Sequence, residues 1–150
     1  MTNVEISGAA VPRLSRRAIA EFARAVLSAL RRMRRLHDHI GEVSVAFVDD
    51  AAMKRLNRTF RGKNRTTDVL TFPAGISFAE PGAKGIPLGD IVISIDQARR
   101  QAAEERHSLA TETRYLILHG ILHAHGYDHE TDHGEMDALE VSIRRKVGLE

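Results

Sequence analysis

Two hydrophobic periods succeed one another along this chain, and together they restrict it to helices packed on a sheet. Ile19, Phe22, Val26, Leu30 and Met33 recur at steps of three or four, the stripe of an amphipathic helix. Ser15 stands in N-cap position after Pro12. The other face carries Arg16, Arg17, Arg24, Arg31, Arg32, Arg34 and Arg35, and Gly41 is expected to close the region. The pattern then switches to period two at Val43, Val45 and Phe47, which reads as strand. Val4 and Ile6 suggest an edge strand, Val69 to Phe72 a short one, and Ile91, Val92, Ile93 and Ile95 the most apolar one. Further helices are expected from an Asp49-Asp50 cap to Leu56, from Asp96 through Arg106, from about Leu109 to His125, and from about Asp132 to Val147. Strands and helices mixed without regular βαβ alternation predict an α+β domain, with a small mixed sheet of about four strands and about five helices.

The 150 residues fit one domain, 1–150, with no internal repeat and no low-complexity tract. Residues 73–89 hold seven Gly or Pro and predict a long loop. Phe60 to Asp68 is polar and basic and predicts a second. No basic start leads into an apolar run, and no apolar stretch is long enough for a bilayer. The expectation is therefore a cytoplasmic protein with no membrane partner. The chain has no cysteine, which excludes disulfides, iron–sulfur clusters and thiolate zinc sites. A metal here must be held by histidine, carboxylate or water.

Histidine is where the chemistry concentrates. Five of the eight histidines fall between 119 and 133: His119, His123, His125, His129 and His133. His119 and His123 are four apart and share one face of a helix, at the spacing that lets two imidazoles meet one metal. Gly126 can take the left-handed conformation that ends the helix, so the chain can turn and bring back His129. Three histidines with an open fourth position describe a catalytic zinc site; nickel, copper and cobalt also bind imidazole. An isolated pair of helical histidines is ordinarily just polar surface, and it is the glycine break and the third histidine that favour a metal. His125 points elsewhere on the helix and is expected to be exposed; His133 is a weak candidate; His37, His39 and His107 are expected to be solvated. The spacing fits the metalloprotease pattern H-E-x-x-H-x-x-G-x-x-H except that Gly120 replaces the glutamate base, which disfavours a zinc protease. Gly120 is explained either by close helix packing or by room for substrate beside the metal.

Charge is split along the chain. Residues 1–75 carry 14 Lys and Arg against 7 Asp and Glu, whereas residues 76–150 carry 8 against 13. A basic front half suits a polyanion. The arginine face of the first helix, Arg31 and Arg35 included, is a candidate track for an RNA backbone, although 18 Arg against 4 Lys also reads as composition bias. No aromatic-rich stacking platform is evident, so binding is expected to be salt-sensitive and poorly selective for sequence.

His119 to His129, HGILHAHGYDH, resembles the HGxLHxxGYDH signature of the YbeY family of bacterial rRNA-maturation endoribonucleases. Leu56-Asn57, Phe60-Arg61-Gly62-Lys63 and Thr67-Asp68-Val69-Leu70-Thr71-Phe72-Pro73 resemble its LN…YRGK…TDVLSFP stretch, and Leu88 to Ser94 its LGDIxIS strand. Phe60 stands for a usual tyrosine and Thr71 for a usual serine. The resemblance implies a zincin-like fold, one Zn2+ per chain on His119, His123 and His129, and metal-dependent cleavage of single-stranded RNA. It also implies a role in rRNA maturation at the 16S 3′ end and in ribosome quality control, with the small subunit and its assembly factors as partners. The family's key arginine falls on Arg61, whose guanidinium would stabilise charge on the phosphate. Lys63 and Arg65 are further candidate RNA contacts and could serve instead. Asp68 and Asp90 read as turn caps or as carboxylates supporting the site. The alternatives are a non-catalytic ribosome-binding factor with a structural metal, and the zinc protease.

Overall fold

A computed structural model describes residues 3–33, 40–73, 86–126 and 132–149. The elements run β1 (Asn3–Gly8), α1 (Arg16–Arg32), β2 (Ile40–Val48), α2 (Asp50–Arg61), β3 (Val69–Pro73), β4 (Ile86–Ser94), α3 (Ile95–Glu105), α4 (Leu109–Ala124) and α5 (Glu135–Val147). The sheet order is β1-β2-β4-β3. β1, β2 and β4 are parallel, and β3 closes one edge antiparallel to β4. The α+β expectation of four strands and five helices is met.

α1 forms where the stripe places it. Ser15 Oγ accepts the Ala18 N–H at 3.0 Å, and Ile19, Phe22, Val26 and Leu30 are buried. Such a cap contributes about 1 kcal/mol, and burying each large side chain about 1.5–3 kcal/mol. Gly41 lies inside β2 and does not end the helical region, because the strand already begins at Ile40. Arg16 does not face outward as a backbone-tracking cation: its guanidinium donates to the carbonyls of Ile6 (3.1 Å) and Gly8 (2.7 Å). Ala9 N–H bonds Phe47 O in β2, so Ile6 and Gly8, out of phase with it, present their carbonyls on the open side of β1. Arg16 therefore occupies part of a sheet edge.

Alternation along β4 assigns the two faces of the sheet. Ile91 and Ile93 belong to the large core with α1, α4 and α5, whereas Val92 joins Leu70 and Met53 of α2 in a smaller core behind. α4 and α2 thus cover opposite faces. Ile95, expected to be strand, opens α3 because Ser94 turns the chain there, its Oγ accepting the Gln97 N–H at 3.2 Å.

β4 begins at Ile86, within the 73–89 stretch expected to be loop, because its backbone already pairs there with β2. α2 departs as far from its expectation. It continues past Leu56 through Phe60 and Arg61, which the sequence pattern assigns to a loop. The helix stops at Gly62, whose φ of 68° allows its N–H to close on Arg58 O. The loop that follows is tied down from below. Buried Asn57 donates from Nδ2 to Arg65 O at 2.9 Å, and Thr66 Oγ1 donates to Asp50 Oδ1 at 3.0 Å. Asp50 also accepts from Ser94 Oγ (2.8 Å) and from the Arg100 guanidinium.

Burial opposes the charge on Asp50, but the bonds from Arg100, Ser94 and Thr66, with the Arg100 charge, outweigh it and hold its carboxyl below the usual carboxylate range. A lowered folded value means that Asp50 stabilises the fold fully above about pH 3.9, its ordinary value, and that this contribution is lost as the pH falls through the lower folded value. Asp50→Asn is expected to lower the urea midpoint at neutral pH and to flatten its acid dependence. Parallel denaturation series at descending pH measure both effects.

Candidate functional site

The chemistry-bearing face of α4 is a consequence of its register. Ser108 caps the helix, with Oγ accepting the Thr111 N–H at 3.0 Å, and Leu116, Ile117, Leu118, Ile121 and Leu122 anchor it in the core. That register turns His119 and His123 to the half-buried side, one turn apart. Their Nε2 atoms approach to 3.0 Å, with ring centroids 4.5 Å apart and planes at 66°. Two nitrogens on a tetrahedral zinc lie about 3.3 Å apart, so the pair is already near ligand spacing.

The His119 ring is held from behind. Its Nδ1 lies 2.8 Å from Glu140 Oε1 of α5, and Glu140 Oε2 accepts from Arg144 Nη2 at 3.2 Å. The Arg144 guanidinium carbon sits 4.7 Å from the Tyr115 ring centre. A carboxylate on Nδ1 keeps the proton there and leaves Nε2 as a lone-pair donor, the arrangement that metal-binding histidines use. Glu140 is absent from the sequence expectations. It lies 21 residues from His119, and only the packing of α5 on α4 reveals it. Glu140→Ala is expected to weaken metal retention about 10–100-fold and leave the fold in place, which competition with a chelating indicator measures.

Gly120 sits between the two histidines, facing the sheet. A Cβ there would lie 2.7 Å from Ile91 Cγ2 and 3.2 Å from Ile91 Cδ1. This explains the missing glutamate as close packing of helix on strand. Gly126 has φ 100°, and its N–H bonds His123 O at 3.0 Å, so the left-handed break after α4 is present.

The other expected residues distribute unevenly. His129 and Arg35, with His37 and His39, lie outside the described residues, as does most of the Gly/Pro-rich loop. Among the described residues no group of three or more metal-ligating side chains forms. His125 is the half-buried C-cap of α4, and His133 is exposed. His107 is not simply solvated: its Nε2 lies 2.6 Å from Glu112 Oε1, and its side chain is 25% exposed. Asp68 does cap locally, accepting the Val69 N–H at 2.8 Å, and it also accepts from Gln101 Nε2. Asp90 caps no turn among the described residues; it sits exposed in β4 opposite Phe72.

Arg61 ends α2, with Lys63 and Arg65 in the loop beyond it, all exposed. None of the three side chains is hydrogen-bonded or ion-paired among the described residues. α2, which carries Arg61, lies across the sheet from the histidines. Phe60 meets Phe72 on one face, while Gly120 meets Ile91, the pairing partner of Thr71, on the other. Arg31 lies in the last turn of α1, half-buried, apart from that cluster. No helix among the described residues is long and apolar enough to cross a membrane.

Comparison with known proteins gives a consistent result. The family described as Endoribonuclease YbeY matches residues 7–148. The Endoribonuclease YbeY of Nautilia profundicola is 48% identical over 108 residues, covering 72% of this chain and 73% of that protein. That of Moorella thermoacetica is 49% identical over 116 residues, covering 72% and 74%. The solution structure of TM1509 from Thermotoga maritima is similar with a TM-score of 0.60 at 28% identity, over 97% of this chain and 89% of that one.

Proposed function

Because the chain belongs to the YbeY endoribonuclease family, and so is a hydrolase acting on RNA, we propose that it is a zinc-dependent enzyme that cuts single-stranded rRNA. Its place is the cytoplasm, at the 16S 3′ end and in ribosome quality control, with the small subunit and its assembly factors as partners. The observation that supports the metal is the pair of Nε2 atoms 3.0 Å apart, with His119 oriented by Glu140. His119, His123 and His129 would hold the ion. When bound, zinc lowers the pKa of water toward neutrality and polarises a phosphoryl oxygen.

The chain's own groups do the rest. Glu140 keeps the Nδ1 proton of His119 directed away from the metal side. Gly120 offers no carboxylate between the histidines, so no side-chain base competes for that position. Arg61, exposed and unpaired among the described residues, is the candidate cation for charge developing on the phosphate, and Lys63, Arg65, Arg31 and Arg35 are candidate contacts along the backbone.

The test joins metal analysis of untagged protein to cleavage of labelled single-stranded RNA with and without EDTA. About one zinc per chain and chelator-sensitive cleavage restored by zinc are expected. Tight binding to small subunits with no chelator-sensitive cleavage would instead identify a non-catalytic factor.

A further inference from the structure

Among the large hydrophobic residues described, Phe60 is the most exposed, at 64%. It shares a helix face with buried Met53 and Asn57, at steps of four and three, but lies a turn beyond them, near the end of β3. Its ring meets Phe72 edge-on, with centroids 5.2 Å apart and planes at 74°. The ring is therefore braced from one side and open on the other. A single exposed phenylalanine is common on a protein surface. This one lies about a third of a turn round α2 from a stripe of exposed cations. Lys54, Arg58 and Arg61 line α2 at steps of four and three, and Lys63 follows; all four are exposed, and none has an ion pair among the described residues. The acidic residues of this helix start are already engaged: Asp49 caps α2, and Asp50 is paired with Arg100.

We propose that this end of α2 is a docking site for single-stranded RNA, in which Phe60 stacks an unpaired base while Lys54, Arg58, Arg61 and Lys63 hold the flanking phosphates. It rests on RNA being the substrate, and it adds the aromatic contact that composition does not show. A strand seated here lies beside β3, the edge that separates this face from the histidines. Aromatic stacking is worth about 1–3 kcal/mol per base and requires an unpaired base, so the site selects single strands over duplex.

The chain has no tryptophan, so Phe60→Trp installs one fluorophore at the position in question. Adding a nuclease-resistant 2′-O-methyl phosphorothioate strand to this variant is expected to quench its emission. In anisotropy titrations of the same strand, Phe60→Ala and Phe60→Leu are expected to bind about tenfold more weakly, and Phe60→Tyr nearly as well as the native protein. Phe60→Leu keeps an apolar side chain against Phe72, so it separates stacking from misfolding. Lys54→Ala with Arg58→Ala is expected to reduce the salt slope of binding by about 1.4, two phosphate contacts on a single strand. Unchanged emission at saturation, native affinity in both Phe60→Ala and Phe60→Leu, or equal competition by duplex RNA overturns the proposal. These readouts need neither metal nor cleavage, so a failure of zinc-dependent cleavage with quenching intact counts against the mechanism and not against the docking site.

Discussion

His123→Ala is expected to strip the metal from the protein and reduce RNA cleavage to below about a hundredth of the native rate, with the fold intact. The side chain is half-buried in the last turn of α4, and its Nε2 faces His119 Nε2 at 3.0 Å. Sharing the roughly 10–16 kcal/mol of a four-ligand zinc site evenly gives about 3 kcal/mol per ligand, more than a hundredfold in affinity. Removing the imidazole takes nothing from the core, which α4 contributes through Ile117, Leu118, Ile121 and Leu122. The measurements are zinc content of untagged protein, thermal unfolding by circular dichroism, and cleavage of labelled single-stranded RNA. The variant, purified in parallel, is its own control for trace nuclease. Native cleavage by His123→Ala would remove the histidines from the mechanism.

The second large effect is on stability. Gly120→Glu would complete the metalloprotease pattern in sequence, yet it is expected to unfold the protein and not to make it a protease. The first added carbon would meet Ile91 Cγ2 at 2.7 Å, and a β-branched side chain in a strand has little freedom to retreat. Overpacking of that kind costs about 1–3 kcal/mol. The carboxylate would then lie against a buried, wholly apolar stretch of β4, where an uncompensated charge adds several kcal/mol more. Together these approach the whole stability of a small domain. Gly120→Ala separates the terms: it gains about 1 kcal/mol of helix propensity against the same clash, so its loss is small. Urea titrations of both variants give the comparison, and a Gly120→Glu midpoint near native would show that Ile91 yields. A casein assay with added zinc is expected to stay blank throughout.

Most of the fold was legible because its elements bury regular stripes. α1 and β2 each carry one apolar period, and α4 and the second half of β4 carry dense apolar runs, whereas Ile86 to Gly89 of β4 is rich in Gly and Pro and reads as loop. α2 was not legible beyond Leu56, because it buries only Met53 and Asn57 and its last turn is polar. Its end is set by the cap at Gly62, a backbone event with no hydrophobic trace. The same gap hid the placement of Arg61, which is a helix-end residue and not part of a loose loop. In the site, the His119/His123 pair was visible as a four-residue spacing. Glu140 was not, since contact between α4 and α5 is a tertiary fact with no counterpart in local spacing. Phe60 escaped because the stretch from Phe60 to Asp68 reads as a polar loop, in which one aromatic shows neither a helix face nor its exposure.

Arg16 has a consequence for how copies of this chain behave at high concentration. A parallel sheet ending in a bare strand invites a second molecule to continue the ladder, and that is a route to aggregates. At β1 the Ile6 and Gly8 carbonyls are already taken by a guanidinium from α1, so an incoming strand finds two of its acceptors occupied and a cation in its path. One side chain thus ties α1 back to β1 across the strand-to-helix connection and acts as a guard against self-templating. Losing it would first show as concentration-dependent light scattering, well before any change in the chemistry at the other end of the sheet.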